Sequence, residues 1–132
     1  MSVNFTGFWK ADLTQSKLLG PRSMAMVMDI AHSEPDLEQE IVVTKEDGSE
    51  ERIAFQCRTN GEPDQCRLAE KEVRGCARWH GDELVIELWV QQGARELYLC
   101  DCWSLSADGQ TLYMEHRNDA LAGQLAVLRR AA

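Results

Sequence analysis

"ELVIELWV", Glu83 to Val90, alternates with a period of two: Leu84, Ile86, Leu88 and Val90 share one face of an extended strand, and Val85, Glu87 and Trp89 share the other. Successive side chains of a strand point to opposite sides of its sheet, so the all-aliphatic face is expected to point inward. Turn signals on both sides carry that face onto the neighbours. A Gly81-Asp82 turn pairs Trp79 with Leu84 and Ala77 with Ile86, and places Gly75, Ala77 and Trp79 inside. A Gln92-Gly93 turn pairs Leu88 with Leu97 and Ile86 with Leu99, which makes Leu97, Leu99, Asp101, Trp103 and Leu105 inward. Folding the next hairpin about Asp108-Gly109 pairs Leu105 with Leu112, Trp103 with Met114 and Asp101 with His116. Cys100 and Cys102 then point outward, on the face opposite Asp101 and His116.

The same alternation recurs along the chain, broken by Asp-Gly, Asn-Gly and Gly-Asp dipeptides, and helix signals are nearly absent. Strands are expected near Gly7 to Ser16, Met24 to His32, Gln39 to Lys45, Glu50 to Arg58, Gln65 to Ala69, Val73 to Trp79 and Glu83 to Gln91. Others follow near Glu96 to Leu105, Thr111 to Arg117 and Gln124 to Arg129. Short strands joined by tight turns leave exposed edges unless the sheet closes. The expected fold is therefore all-β, a single up-and-down antiparallel barrel of eight to ten strands spanning residues 1–132 as one domain.

Composition narrows the function. The 44% hydrophobic and 27% charged content suits a soluble globular domain. A net charge of -8 would repel phosphates and anionic lipid, so neither nucleic acid nor a membrane is an expected partner. The acids between Glu34 and Glu51 read as a solvated edge and loop. "MSVNFTGFWK" shows no basic or apolar leader, and the odd count of five cysteines suits a reducing compartment, so a cytoplasmic location is expected. Cys57 and Cys66, which flank "RTNGEPDQ", would be able to meet across a loop if the protein were exported.

The first strand carries "TGFWKADLTQSK", with Gly7, Phe8 and Trp9 forming a Gly-x-Trp near the start of the chain. This resembles the calycin superfamily, the lipocalins and fatty-acid-binding proteins. Together with the late hairpin "SLSADGQTLYME" it is most similar to small bacterial lipocalin-like proteins. The resemblance implies a barrel in which Trp9 plugs one end and a basic residue of the last strand, Arg129 or Arg130, packs on it. Only "LLGPRS" separates the first two strands, so the helical lid of fatty-acid-binding proteins is not expected. Nor does "QLAVLRRAA" show the paired Arg and Tyr that those proteins use for a carboxylate.

Within such a barrel, Asp101 and His116 form the sharpest polar feature of the inner face. A carboxylate beside an imidazole fixes its tautomer and raises its basicity, so the pair suits either a general base or the anchoring of a ligand's polar end. The apolar lining expected around them comprises Met24, Met26, Met28, Phe55, Trp79, Ile86, Leu88, Leu99, Trp103 and Met114. Met24, Met26, Met28 and His32 on one strand face would offer soft donors to Cu(I), but such a row is more simply the wall of an adaptable cavity. No metal and no cofactor are expected. The leading expectation is a module that binds a small hydrophobic molecule in its lumen, aromatic ones included. The alternatives are a cofactor-independent isomerase or cyclase acting through Asp101 and His116, and a filled barrel serving protein interaction. The outer surface of Trp89, Tyr98, Val85 and the cysteines Cys76, Cys100 and Cys102 is the expected contact of a homodimer.

Overall fold

The alternating segments become ten strands in a computed structural model that describes residues 3–17, 23–117 and 124–131. They are β1 (Gly7–Ala11), β2 (Ser23–Ser33), β3 (Asp36–Lys45), β4 (Glu50–Arg58), β5 (Asp64–Leu68), β6 (Lys71–His80), β7 (Glu83–Gln92), β8 (Arg95–Leu105), β9 (Thr111–His116) and β10 (Leu125–Arg130). Each strand pairs antiparallel with its chain neighbours, and β1 pairs with β10 to close the barrel. The architecture is all-β and up-and-down, a closed barrel compatible with a calycin-like fold. The segment expected to lack a lid runs through residues 18–22, which lie outside the described residues.

The expected pairs Trp79 with Leu84, Ala77 with Ile86, Asp101 with His116, and Trp103 with Met114 are all present. Between β7 and β8 the register differs by two residues: Leu88 faces Leu99 and Ile86 faces Asp101. The turn centres on Gly93 and Ala94, with Gly93 at φ +60°. A two-residue turn of type II′ needs its glycine at the first central position, whereas the expected turn put it second. A shift of two preserves the faces, so the inward set is unchanged.

Other details differ from the expectation. The first strand stops at Ala11, and the chain turns through Leu13 to Gln15 before Lys17 bridges to Leu125. The β5–β6 hairpin turns at Ala69 and Glu70, both at positive φ, without the Asn-Gly that usually marks such a turn. In β2 a bulge between Ser23 and Ala25 takes Met24 out of register and leaves it 62% exposed, so the expected lining residue Met24 is not interior.

The inner face has two unlike halves. Around Trp9, the side chains of Phe5, Leu37, Leu84, Trp103, Leu112 and Leu128 are buried and pack solidly. Phe5 lies parallel to Trp79 and edge-on to Trp103, filling this end with aromatic rings. Toward the opposite end, inward Met26, Ile41, Leu68, Val90, Leu99 and Met114 are only partly buried. Arg130, and not Arg129, stacks on Trp9, with its guanidinium carbon 4.3 Å from the ring centre. Arg129 instead donates to Thr111 and faces Asp12 on the outside.

Gly75 marks close packing in the wall. A Cβ there would stand 2.5 Å from Cys66 Sγ, 2.9 Å from Leu88 Cδ2 and 3.2 Å from the Glu87 carbonyl. Because the backbone oxygen cannot retreat, Gly75→Ala is expected to destabilise the barrel by about 1–3 kcal/mol in urea unfolding. Adding Cys66→Ala should recover part of that loss. Equal stability of wild type and Gly75→Ala would show that the wall is loosely packed at this position.

Candidate functional site

Ala77, Ile86, Asp101 and His116 lie in one row across β6, β7, β8 and β9. Alternation alone puts all four on the inner face, and the row pairs two apolar residues with two titratable ones. His116 Nδ1 lies 2.6 Å from Asp101 Oδ1. An ionised carboxylate only accepts hydrogen bonds, so with Asp101 charged the imidazole proton sits on Nδ1 and Nε2 presents a lone pair. That Nε2 is buried and has no hydrogen-bond partner among the described residues. Buried polar atoms are rarely left this way, and each that is calls for an explanation.

Burial within the wall pushes the Asp101 carboxyl up from its ordinary value, and the hydrogen bond and positive charge of His116 pull against it without reversing the rise. Yet 43% of the Asp101 side chain is accessible. The carboxylate is therefore close enough to other protein atoms to be raised while part of it stays accessible. Its surroundings include the partly buried Leu99 and Met114, one residue pair away on the same strands.

Of the other expected lining residues, Met28, Phe55, Ile86, Leu88 and Trp103 are buried on the inner face. Met26 is partly buried in the same face, as is Trp79, which belongs to the aromatic end. Met28 Sδ accepts from the buried Gln39 amide at 3.0 Å. The methionine row therefore carries a protein partner of its own, and among the described residues no group of three or more His, Cys, Asp or Glu is placed to hold a metal ion. The outer cysteines Cys76 and Cys100 flank Glu87, while Cys102 is buried and bonded to Glu83.

A second carboxylate and histidine pair, not expected from the sequence, caps the aromatic end. His32 Nδ1 accepts from the Phe5 amide at 3.2 Å, and Nε2 lies 2.7 Å from Glu34 Oε1. Glu34 also accepts from Trp79 Nε1 at 3.0 Å and from Thr59 Oγ1 at 2.7 Å. Partial burial pushes the Glu34 carboxyl up, but these hydrogen bonds and the nearby imidazole together outweigh it and hold it below its ordinary value. Every nitrogen of His32 is occupied, so this pair is a strut. Glu34 sits between strands, where alternation carries no information, and only its neighbour Pro35 hinted at a specific turn.

Comparison of the chain with models of known protein families finds no match, and comparison with curated proteins finds none.

The two carboxylates predict opposite responses. Glu34 is held below its ordinary value of 4.5, so its contribution is complete above that pH and is lost as pH falls through the folded value. Wild type should therefore lose stability more steeply than Glu34→Gln below pH 4.5, and Glu34→Ala should cost about 2 kcal/mol near neutral pH by stranding buried donors. Parallel acid limbs for wild type and Glu34→Gln would rule the strut out. Asp101 is raised above its ordinary 3.8, so its ionisation costs stability as pH climbs through the folded value. Asp101→Asn is thus expected to melt no lower than wild type near neutral pH, and a clear drop would make the carboxylate structural.

Proposed function

We propose that the barrel binds a small, largely hydrophobic molecule that carries a hydrogen-bond donor, a hydroxyl or an N–H, and that His116 Nε2 receives that donor. The observation that carries this reading is the buried, unpartnered Nε2 on an imidazole whose other nitrogen is fixed by Asp101. A lone pair held in one direction inside an apolar wall recognises a donor strongly, because an unmet one is costly there. The partly buried Leu99, Val90, Met114 and Met26 would meet the apolar body, and methionine suits irregular outlines. The likeness of the Trp9 strand and the Ser-x-Asp-Gly hairpin to lipocalin-like proteins supports the same class of ligand.

The same hydrogen bond favours one alternative, an isomerase or cyclase in which His116 takes a proton and Asp101 stabilises the resulting imidazolium. No described side chain bonds Nε2, so a serine or cysteine activated by this histidine has no support.

The test is a titration with N-phenyl-naphthylamine, an apolar dye with one N–H, read by energy transfer from tryptophan. Saturable one-to-one transfer is expected, weaker in Trp103→Phe and with affinity lowered about 10-fold in His116→Ala, the worth of one buried hydrogen bond. Failure of any dye to enter would discard the reading. Unchanged affinity in His116→Ala would keep a hydrophobic lumen and remove His116 from recognition.

A further inference from the structure

The weakest seam of the barrel lies between β4 and β5, where only Phe55 with Leu68 and Gln56 with Arg67 pair, against nine residue pairs between β3 and β4. The next position in that register sets Cys57 opposite Cys66. Both are inward, both are free, and they are 5% and 3% exposed. Directly opposed residues of antiparallel strands have Cα atoms about 4.5–5.5 Å apart, which is within the span a disulfide bridges. The two thiols shift one another's ionisation, as side chains set beside each other do. A groove of about 320 Å3 reaches them from outside, lined by Cys57, Cys66 and Leu37 from the inner face and by Gln56, Arg58 and Arg67 from the outer.

We propose that Cys57 and Cys66 are a redox-modification site: hydrogen peroxide entering through the seam groove converts them to a reversible disulfide that pins β4 to β5. The two thiols are equivalent in this chemistry, and Cys66 is taken as the attacking sulfur. Its thiolate displaces hydroxide from the peroxide, forming an S–O bond as the O–O bond breaks. Cys57, giving up its proton, then attacks the Cys66 sulfur, forming S–S as S–O breaks and a second hydroxide leaves. The two sulfurs lose two electrons, the peroxide gains them, and two waters are released. Cys102, by contrast, is pushed up to about 12 by burial and its bond to Glu83, which makes it a poor nucleophile.

The experiment exposes the folded protein to limiting hydrogen peroxide, alkylates it in denaturant and maps the peptides by mass spectrometry. A Cys57–Cys66 link, with Cys76, Cys100 and Cys102 still alkylated and the link lost on adding dithiothreitol, is the expected result. The oxidised form should melt roughly 5 °C higher than the reduced form, because the bond closes a short loop in the unfolded chain. Links to other cysteines, or sulfinic acid at either position without a link, would overturn the pair. A link with unchanged melting would overturn the pinning. Cys57→Ala and Cys66→Ala should each abolish the link, and should either fail to fold by circular dichroism, the wild-type peptide map decides alone.

Discussion

Closure of this barrel depends on its shortest kind of strand. β1 has five residues and must satisfy two neighbours, pairing Gly7 to Lys10 with β2 and Trp9 to Ala11 with β10. So small a ladder would leave the sheet open without side chains to hold it. Arg130 supplies the clamp: it stacks on Trp9, donates from Nη1 to the Thr6 carbonyl at 2.8 Å and reaches the Gly109 carbonyl from the same guanidinium. One planar cation thereby ties the first strand, the last strand and the β8–β9 turn, a role that its several fixed donors and flat face suit better than a lysine would. Gly7 is required beside it, since a side chain there would run into the guanidinium and the indole.

The clamp also explains why the molecule has a solid end and an accessible one. Trp9 Nε1 donates to the Phe5 carbonyl at 2.9 Å, which folds the segment before β1 across the barrel floor. Phe5, His32 and Trp79 then pack on one another, each pair of ring centres 5.6 to 5.9 Å apart, and Glu34 gathers the polar edges of that cluster. The rings of Phe5, Trp9, Trp79 and Trp103 are gathered at this end. What remains toward the other includes aliphatic side chains and methionines that are only partly buried, with the Asp101–His116 pair beside them.

The inner face was legible in the sequence because alternation in Glu83 to Val90 fixes parity, and parity survives hairpins of either register. That is why Asp101 opposite His116 could be expected while Leu88 opposite Leu97 was off by two. Position within a turn, bulges and capping segments have no periodic signature. Met24 was misplaced by a bulge, the end of the first strand by a turn at Leu13, and Phe5 and Glu34 were missed because both lie outside strands. Arg130 was within reach: Ala126 and Leu128 are inward, so the next inward residue is 130, and the parity argument applied to β10 would have chosen it over Arg129.

The two histidine and carboxylate pairs then serve as controls for each other. Both place a short contact between an imidazole nitrogen and a carboxylate oxygen, on the inner side of one barrel. His32 has both nitrogens occupied, and its carboxylate is held low by donors that outweigh burial. His116 has one nitrogen unmet, and its carboxylate is held high by burial that outweighs its donor. A fold that can satisfy one such pair completely shows that its geometry does not forbid doing so. The unmet nitrogen and the raised carboxylate therefore belong together as one locally unfavourable arrangement, retained at the accessible end. Departures from local satisfaction are expected at functional sites more than elsewhere, and the proposed ligand's donor is what would complete this one.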